Sequence, residues 1–240
     1  MPKPKPTAPE PTPQLDPAPQ GSPTDVGSDL YWRLRRDVMD GRFPPESSLM
    51  ETALSGQYGV SRTPMREALA LLEHDGLLER AQRGFRVRSG TAEDVVEIYE
   101  ARIALEAEAA ASAALRATEL DLARLRRQQD VVIEAASQDG GEAAARAASF
   151  RFHELLWQAG HNATITELLV KLTARLRIYD SGPPSPFGGI EPLREEHDAI
   201  LGALHDHDPE RAHTAVRTHL RRSLEQRINV LIQQDGGDSP

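Results

Sequence analysis

Val60-Ser61-Arg62-Thr63-Pro64-Met65-Arg66-Glu67-Ala68-Leu69 is the run that decides how the first half of this chain folds. Ser61 and Thr63 are both good N-caps, and Pro64 falls in the first helical turn whichever one caps. Behind them Ala68, Leu69, Leu71 and Leu72 supply an apolar face, while Arg62 and Arg66 stand one turn apart on another. Upstream, Leu54 to Tyr58 reads as a short helical run broken by Gly59. A helix, a glycine-bearing turn and a second helix with arginines near its start is the sequence form of a helix-turn-helix. In such a unit the second helix enters the DNA major groove with its N-terminal residues towards the bases.

Downstream, Asp75-Gly76 ends the helix, with Gly76 placed for a left-handed C-cap. Leu77 to Arg80 and Phe85 to Arg88 are two short strand candidates around Ala81 to Gly84, which predicts a β-hairpin wing carrying Arg80, Arg83, Arg86 and Arg88. Together with Gly41-Arg42-Phe43-Pro44-Pro45-Glu46, Leu49-Met50-Glu51, Leu72-Glu73, Gly76-Leu77-Leu78 and Arg83-Gly84-Phe85, this region resembles the GntR superfamily of bacterial transcription regulators. The resemblance implies that Ser61, Arg62, Thr63, Arg66, Arg83 and Gly84 face the operator. Two departures stand out. The family often carries arginine where this chain has Thr52, and glycine where Glu46 follows Pro45.

At 240 residues the chain has room for two ordinary domains. The absence of cysteine excludes disulfides, thiol catalysis and cysteine zinc sites. No apolar run reaches membrane-spanning length and no signal-peptide core opens the chain, so a soluble cytoplasmic protein is expected. The net charge of −9 suits a DNA binder only once it is divided. Asp29 to Ser89 holds ten arginines against nine acids, whereas Gly90 onward holds sixteen basic and twenty-five acidic residues. Only the first half suits a polyanion.

Residues 1–28 carry half of the 18 prolines and no apolar period, the pattern of a disordered tail. Residues 29–89 form the expected winged helix-turn-helix domain, in which Asp29 can cap a helix from Leu30 to Asp40 with Leu30, Leu34 and Val38 inward. Residues 90–234 are helical almost throughout, with helices expected at 92–116, 119–138, 141–160, 164–180, 191–206 and 209–233; 235–240 is a short tail. Six helices with short loops predict an antiparallel bundle, so the fold class is mainly α with one small β-hairpin. A capping box of Thr164 and Glu167, or alternatively Asn162, starts the fourth of them.

Several polar residues interrupt the apolar stripes of this bundle. Arg102 sits amid Val95, Ile98, Leu105 and Ala109, where a guanidinium needs an anion. Glu106 at i,i+4 is one candidate, and a ligand carboxylate, which matches the guanidinium fork, is the other. His197 shares a stripe with Leu193, Ile200 and Leu204, His153 lies beside Phe152 and Leu156, and His219 borders Val216 and Leu220. One histidine on an apolar face is usually a hydrogen-bonded core residue; three on three helices make a case for an inward metal site. His205, His207 and His213 crowd the Asp206–Pro209 turn and read as solvated.

Tyr99-Glu100-Ala101-Arg102-Ile103-Ala104-Leu105-Glu106, Phe152-His153-Glu154-Leu155, Gly160-His161-Asn162, Glu196-His197 and Arg217-Thr218-His219-Leu220 resemble, in order, the ligand-binding FCD domain of the FadR-like branch. The resemblance implies a divalent metal, zinc or nickel, held by His153, His197 and His219, with Ser149 where many members place an aspartate. A serine hydroxyl is a poor ligand for such an ion, but three histidines can hold one and leave more positions open. The expected protein is a transcription regulator that binds an inverted-repeat operator as a homodimer and answers to a small organic acid near Arg102. The alternatives are a metal-responsive regulator and, from another class, a metal-dependent hydrolase.

Overall fold

The computed structural model describes residues 26–179 and 190–236. Most of the proline-rich tail, the break at Ser181-Gly182-Pro183-Pro184 and residues 237–240 lie outside the described residues. The first helix, α1 (Val26–Met39), begins four residues before the expected start at Leu30. Asp29 therefore lies inside its first turn rather than capping it, where a carboxylate still favours the helix dipole. Leu30, Leu34 and Val38 are buried as the stripe predicted.

The helix-turn-helix follows as α2 (Glu51–Tyr58) and α3 (Arg62–His74), and Gly59 takes the left-handed conformation between them at φ +67°. Of the two candidate caps, Ser61 holds the N-cap position. At the other end Leu77 N–H bonds Leu72 C=O and Gly76 N–H bonds Glu73 C=O, with Gly76 at φ +74°. This is a Schellman closure that sets the chain's direction into the wing. Met65, Ala68, Leu69 and Leu72 turn inward, which leaves Arg62 and Arg66 on the outer face.

The wing is β2 (Leu78–Arg80) and β3 (Phe85–Val87), antiparallel with Leu78 opposite Val87. A third strand, β1 (Ser48–Leu49), pairs with the other edge of β3 and was not expected from sequence; two residues carry no readable alternation. Gly84 has φ +75°, and a Cβ there would stand 2.4 Å from the Leu49 carbonyl oxygen, so the wing turn admits no side chain. The departure at Glu46 has a structural meaning. Glu46 adopts φ +65°, the conformation in which glycine is the unstrained residue. Its carboxylate is held by Arg86 at 2.8 Å and by the Ser89 hydroxyl at 2.6 Å.

Six helices complete the described chain: α4 (Ala92–Arg116), α5 (Glu119–Ala136), α6 (Glu142–Ala159), α7 (Ala163–Tyr179), α8 (Ile190–His205) and α9 (Pro209–Gly236). Thr91 with Asp94, and Thr118 with Asp121, form capping boxes that start α4 and α5. For α7 the cap is Asn162, whose Oδ1 accepts the Ile165 N–H at 3.2 Å, rather than the Thr164–Glu167 box. The central helix is α4, packed against α6, α7, α8 and α9, while α5 packs on α6 and α8. The fold is thus a winged helix-turn-helix followed by an antiparallel helical bundle.

The two halves share a core. Leu30, Leu69, Phe85 and Val87 belong to the same buried cluster as Val95 and Ile98 of α4 and Leu176 and Ile178 of α7. Polar contacts reinforce the seam: Tyr31 donates to Asp75, Arg35 bonds the Val170 carbonyl at 3.3 Å, and Lys171 pairs with Asp75 at 3.4 Å. No helix among the described residues is long and apolar enough to cross a membrane.

Candidate functional site

The helix-turn-helix places Ser61, Arg62, Thr63 and Arg66 on one exposed surface at the start of α3, and Arg83 is exposed at the wing tip. Ser61 caps by backbone geometry alone, and its hydroxyl makes no capping hydrogen bond. Arg66 is not loose. Its Nε and Nη2 meet both Glu51 oxygens at 3.1–3.2 Å, which ties the guanidinium to the start of α2. Arg80 is tied to Glu73, and Arg86 to Glu46 and Glu79. Among the described residues Arg62 and Arg83 form no ion pair.

The bundle brings His153 (α6), His197 (α8) and His219 (α9) together: one ring nitrogen of each lies within 4.8 Å of the others, and all three residues are buried. Each ring is anchored through Nδ1. His153 donates to Glu106 Oε2 at 2.7 Å, His219 to Glu196 Oε2 at 2.9 Å, and His197 to Gln129 Oε1 at 2.6 Å. Burial pushes the Glu106 carboxyl up, but Arg102 and His153 outweigh it and hold the group at about 2. Glu196 is likewise lowered, because hydrogen bonds from His219 and Arg222 overcome its burial. Two ionised carboxylates can only accept, so both their histidines carry the proton on Nδ1.

The Nε2 atoms then face inward as lone pairs. Those of His153 and His219 are 3.1 Å apart, and that of His197 is buried with no hydrogen-bond partner. At this distance either a proton or a metal ion must stand between two such acceptors. Burial, reinforced by the neighbouring imidazoles, lowers His197 well below the ordinary imidazole value. Burial also lowers His219 despite Glu196. Rings anchored through Nδ1 with Nε2 turned inward are the arrangement in which imidazoles serve a divalent ion. Two nitrogens on a tetrahedral zinc with bonds of about 2.0–2.1 Å stand roughly 3.3–3.4 Å apart, close to the spacing here. The residues fit such an ion.

A cavity open to solvent at its mouth lies beside this cluster, bounded by α4, α6 and α9. Arg102 lines it, and the sequence alternative is resolved in favour of pairing: Arg102 Nε meets Glu106 Oε1 at 2.8 Å in the buried interior. That bond uses Nε alone. The guanidinium lies 5.3 Å from the Tyr99 ring centroid and 6.0 Å from that of Phe150, both also on the cavity wall. Ser149 lines the same cavity one turn before His153. Of the three turn histidines, His205, next to Asp206, and His207, bonded to the Ala114 carbonyl at 2.9 Å, are exposed as expected, whereas His213 is half-buried.

Sequence reasoning missed the anchors Gln129 and Glu196 and the cavity residues Arg146 and Arg227. A signal existed for Gln129, which interrupts the buried stripe Leu122, Leu125, Val132 of α5 as Arg102 interrupts that of α4. For the hydrolase alternative, the carboxylate beside the histidines in sequence, Glu154, is paired with Arg151 at 3.1 Å.

Comparison with known proteins agrees with this fold. Residues 27–87 match the gntR family of bacterial regulatory proteins and residues 97–222 match the FCD domain. The chain is 32% identical to the HTH-type transcriptional regulator YdhC of Bacillus subtilis, over 87% of this chain and 94% of that protein. It is 30% identical to the HTH-type transcriptional repressor RspR of Escherichia coli, over 86% and 91%. It is 31% identical to a probable D-xylose utilization operon transcriptional repressor of Paenarthrobacter nicotinovorans, over 84% and 88%. Among solved structures, E. coli McbR/YncC superposes with a TM-score of 0.69 at 25% identity, covering 88% of this chain and 99% of that one. These relatives are transcription regulators, which sets the hydrolase alternative aside and lends the metal-responsive one no support. The chain belongs to the GntR family of DNA-binding transcription regulators, with an FCD domain as its helical second half.

Proposed function

We propose that this regulator is a repressor that binds an inverted-repeat operator as a homodimer and releases it when a small organic acid occupies the bundle cavity. The observation that carries the reading is the meeting of three anchored imidazoles with a buried arginine on one cavity. The orphaned His197 Nε2 and the 3.1 Å approach of His153 to His219 call for a cation. Arg102 beside them, paired with Glu106 through Nε, still presents its guanidinium on the cavity wall. Zinc or nickel held by His153, His197 and His219 would supply positive charge and open positions for a carboxylate, the more so because Ser149 adds no anionic oxygen. Ser61, Arg62, Thr63, Arg66, Arg83 and the backbone at Gly84 are the proposed operator contacts. Two relatives named as repressors support the sign of regulation.

A path from cavity to reading head exists in the packing. Phe150 lines the cavity and packs against the shared core that holds Leu69 and Phe85. Arg146 and Phe150 also line a second cavity, whose other walls include Phe43 and Val87 of the winged half. An occupant that moves Phe150 is therefore felt by the wing.

The test is a mobility-shift titration of operator complex with a panel of organic acids after zinc or nickel loading. At least one acid should release the wild-type protein. Arg102→Ala should lose that response and keep its metal; His197→Ala should lose both. An operator complex indifferent to every acid in the loaded protein overturns the reading.

A further inference from the structure

The cavity gathers three arginine side chains beside the histidines. Arg102, Arg146 and Arg227 line it together with His153 and His219, and among the described residues no aspartate or glutamate does. This is so although the bundle half of the chain is strongly acidic. The charge of Arg102 is answered by Glu106 behind it. Arg146 has no such partner: among the described residues no carboxylate lies within ion-pair distance of it. Arg227 is 4% exposed, so its guanidinium is committed to the interior rather than to solvent. Ser149, Ser223 and Gln226 add hydroxyl and amide groups between the two ends.

The charges are also separated along the bundle. On α6, Arg146 lies seven residues before His153; on α9, Arg227 lies eight residues after His219. At 1.5 Å per residue both intervals are about 10–12 Å, so the two arginines stand together at the end of the cavity away from the histidines. Their long side chains close part of that distance. A compact anion cannot meet both ends at once, whereas an extended one can.

We propose that the effector is a dicarboxylate, one carboxylate at the histidine and Arg102 end and the second at Arg146 and Arg227. The inference rests on the reading above, that an organic acid enters this cavity, and narrows its class. Once the reach of the arginine side chains is taken from that backbone separation, the remaining gap is one that a diacid of about four to six carbons can bridge. Arginine forks bind carboxylates bidentately, so the far end contributes specificity as well as charge.

Calorimetric titration of the full-length, zinc-loaded protein tests this. The ligands are succinate, glutarate and adipate, each against the monoacid of equal length (butyrate, pentanoate, hexanoate), with inorganic phosphate and glucose 6-phosphate as compact and phosphorylated anions. At least one diacid should bind tenfold or more tightly than its monoacid. Arg146→Gln should lower that diacid's affinity at least tenfold towards the monoacid's, with the melting curve confirming the fold; Arg124→Gln, on the bundle surface, should not. Equal affinity for diacid and monoacid overturns the proposal and leaves the organic-acid reading intact. So does a diacid preference that survives Arg146→Gln, or tighter binding of either phosphate compound than of every diacid. Binding of no acid at all overturns both.

Discussion

The Arg66–Glu51 pair of the reading head and the Arg102–Glu106 pair of the bundle are the same chemistry in opposite solvents. Their side chains are 66% and 24% exposed in the first case and 3% and 0% in the second. In water such a pair contributes about 0–1 kcal/mol, so Arg66 can leave Glu51 for DNA at little cost. In the interior, removing one partner strands a charge, at about 3–5 kcal/mol. Arg102 therefore stays with Glu106, and the cavity accepts an anion by adding to a fixed network. The surface site is built for exchange and the buried one for permanence.

The largest effects should come from the buried network. His197→Ala removes a stacked, fully buried ring, 4.1 Å from Phe152 and nearly parallel to it. It should abolish divalent-metal binding and cost about 2–4 kcal/mol of stability, read by metal analysis and denaturant melts. Ser149→Asp offers an anionic oxygen one turn before His153 and should tighten zinc binding by an order of magnitude or more. If both wild type and Ser149→Asp remain metal-free after zinc and nickel loading, the three histidines are core residues only. The two regions would then differ in burial and not in function.

The reading head comes next. Arg62→Ala and Arg66→Ala should each weaken operator binding by about 1–3 kcal/mol, with little change in melting temperature. Glu51→Gln sharpens the comparison, because it frees Arg66 without removing it. Operator affinity should fall by less than in Arg66→Ala, since only the aim of the guanidinium is lost. A loss equal to that of Arg66→Ala would mean that Glu51 contributes more than aim.

What the sequence disclosed follows the same division. Helices with their own start signals were legible: α4 has its expected bounds, because Thr91 with Asp94 closes a local box and Arg116 is followed by Thr118, the next cap. His153, His197 and His219 were legible because a polar group on an apolar stripe is conspicuous at helical spacing. Their anchors come from distant segments, 47 residues away for Glu106 and 68 for Gln129, and no local pattern reports such a pairing. The strand β1 and the seam between α1 and α7 are likewise made by partners far along the chain.

Acidification should separate surface caps from the buried network. Asp94 is held below the ordinary carboxylate value by hydrogen bonds from the Thr91 backbone and side chain, and Asp121 is lowered by Thr118 and His161 despite partial burial. A carboxyl lowered in the folded state contributes fully above its unfolded value and loses that contribution as pH falls through the folded one. Stability should therefore decline below about pH 4. Thr91→Ala should cost about 1 kcal/mol at neutral pH and flatten part of that decline. A decline as steep as in wild type would assign the acid sensitivity to other carboxylates.

The smallest expected effect tests whether exposed pairs are as weak as the comparison holds. Glu46 pays a conformational penalty at φ +65° that glycine would not, on the order of 1 kcal/mol after allowing for the greater freedom of unfolded glycine. Against this stand its contacts to Arg86 and Ser89, both exposed, together about 0–1 kcal/mol. Glu46→Gly should therefore stabilise the winged half slightly, by roughly 0.5 kcal/mol in denaturant melts. Repeating the substitution in an Arg86→Ala background isolates the pair, and the gain should rise by no more than a few tenths. A destabilised Glu46→Gly protein that recovers in the Arg86→Ala background would show that a half-exposed pair can outweigh backbone strain. The guanidinium–carboxylate pairs of the reading head would then be structural ties, and the ease with which Arg66 exchanges Glu51 for DNA would have to be given up.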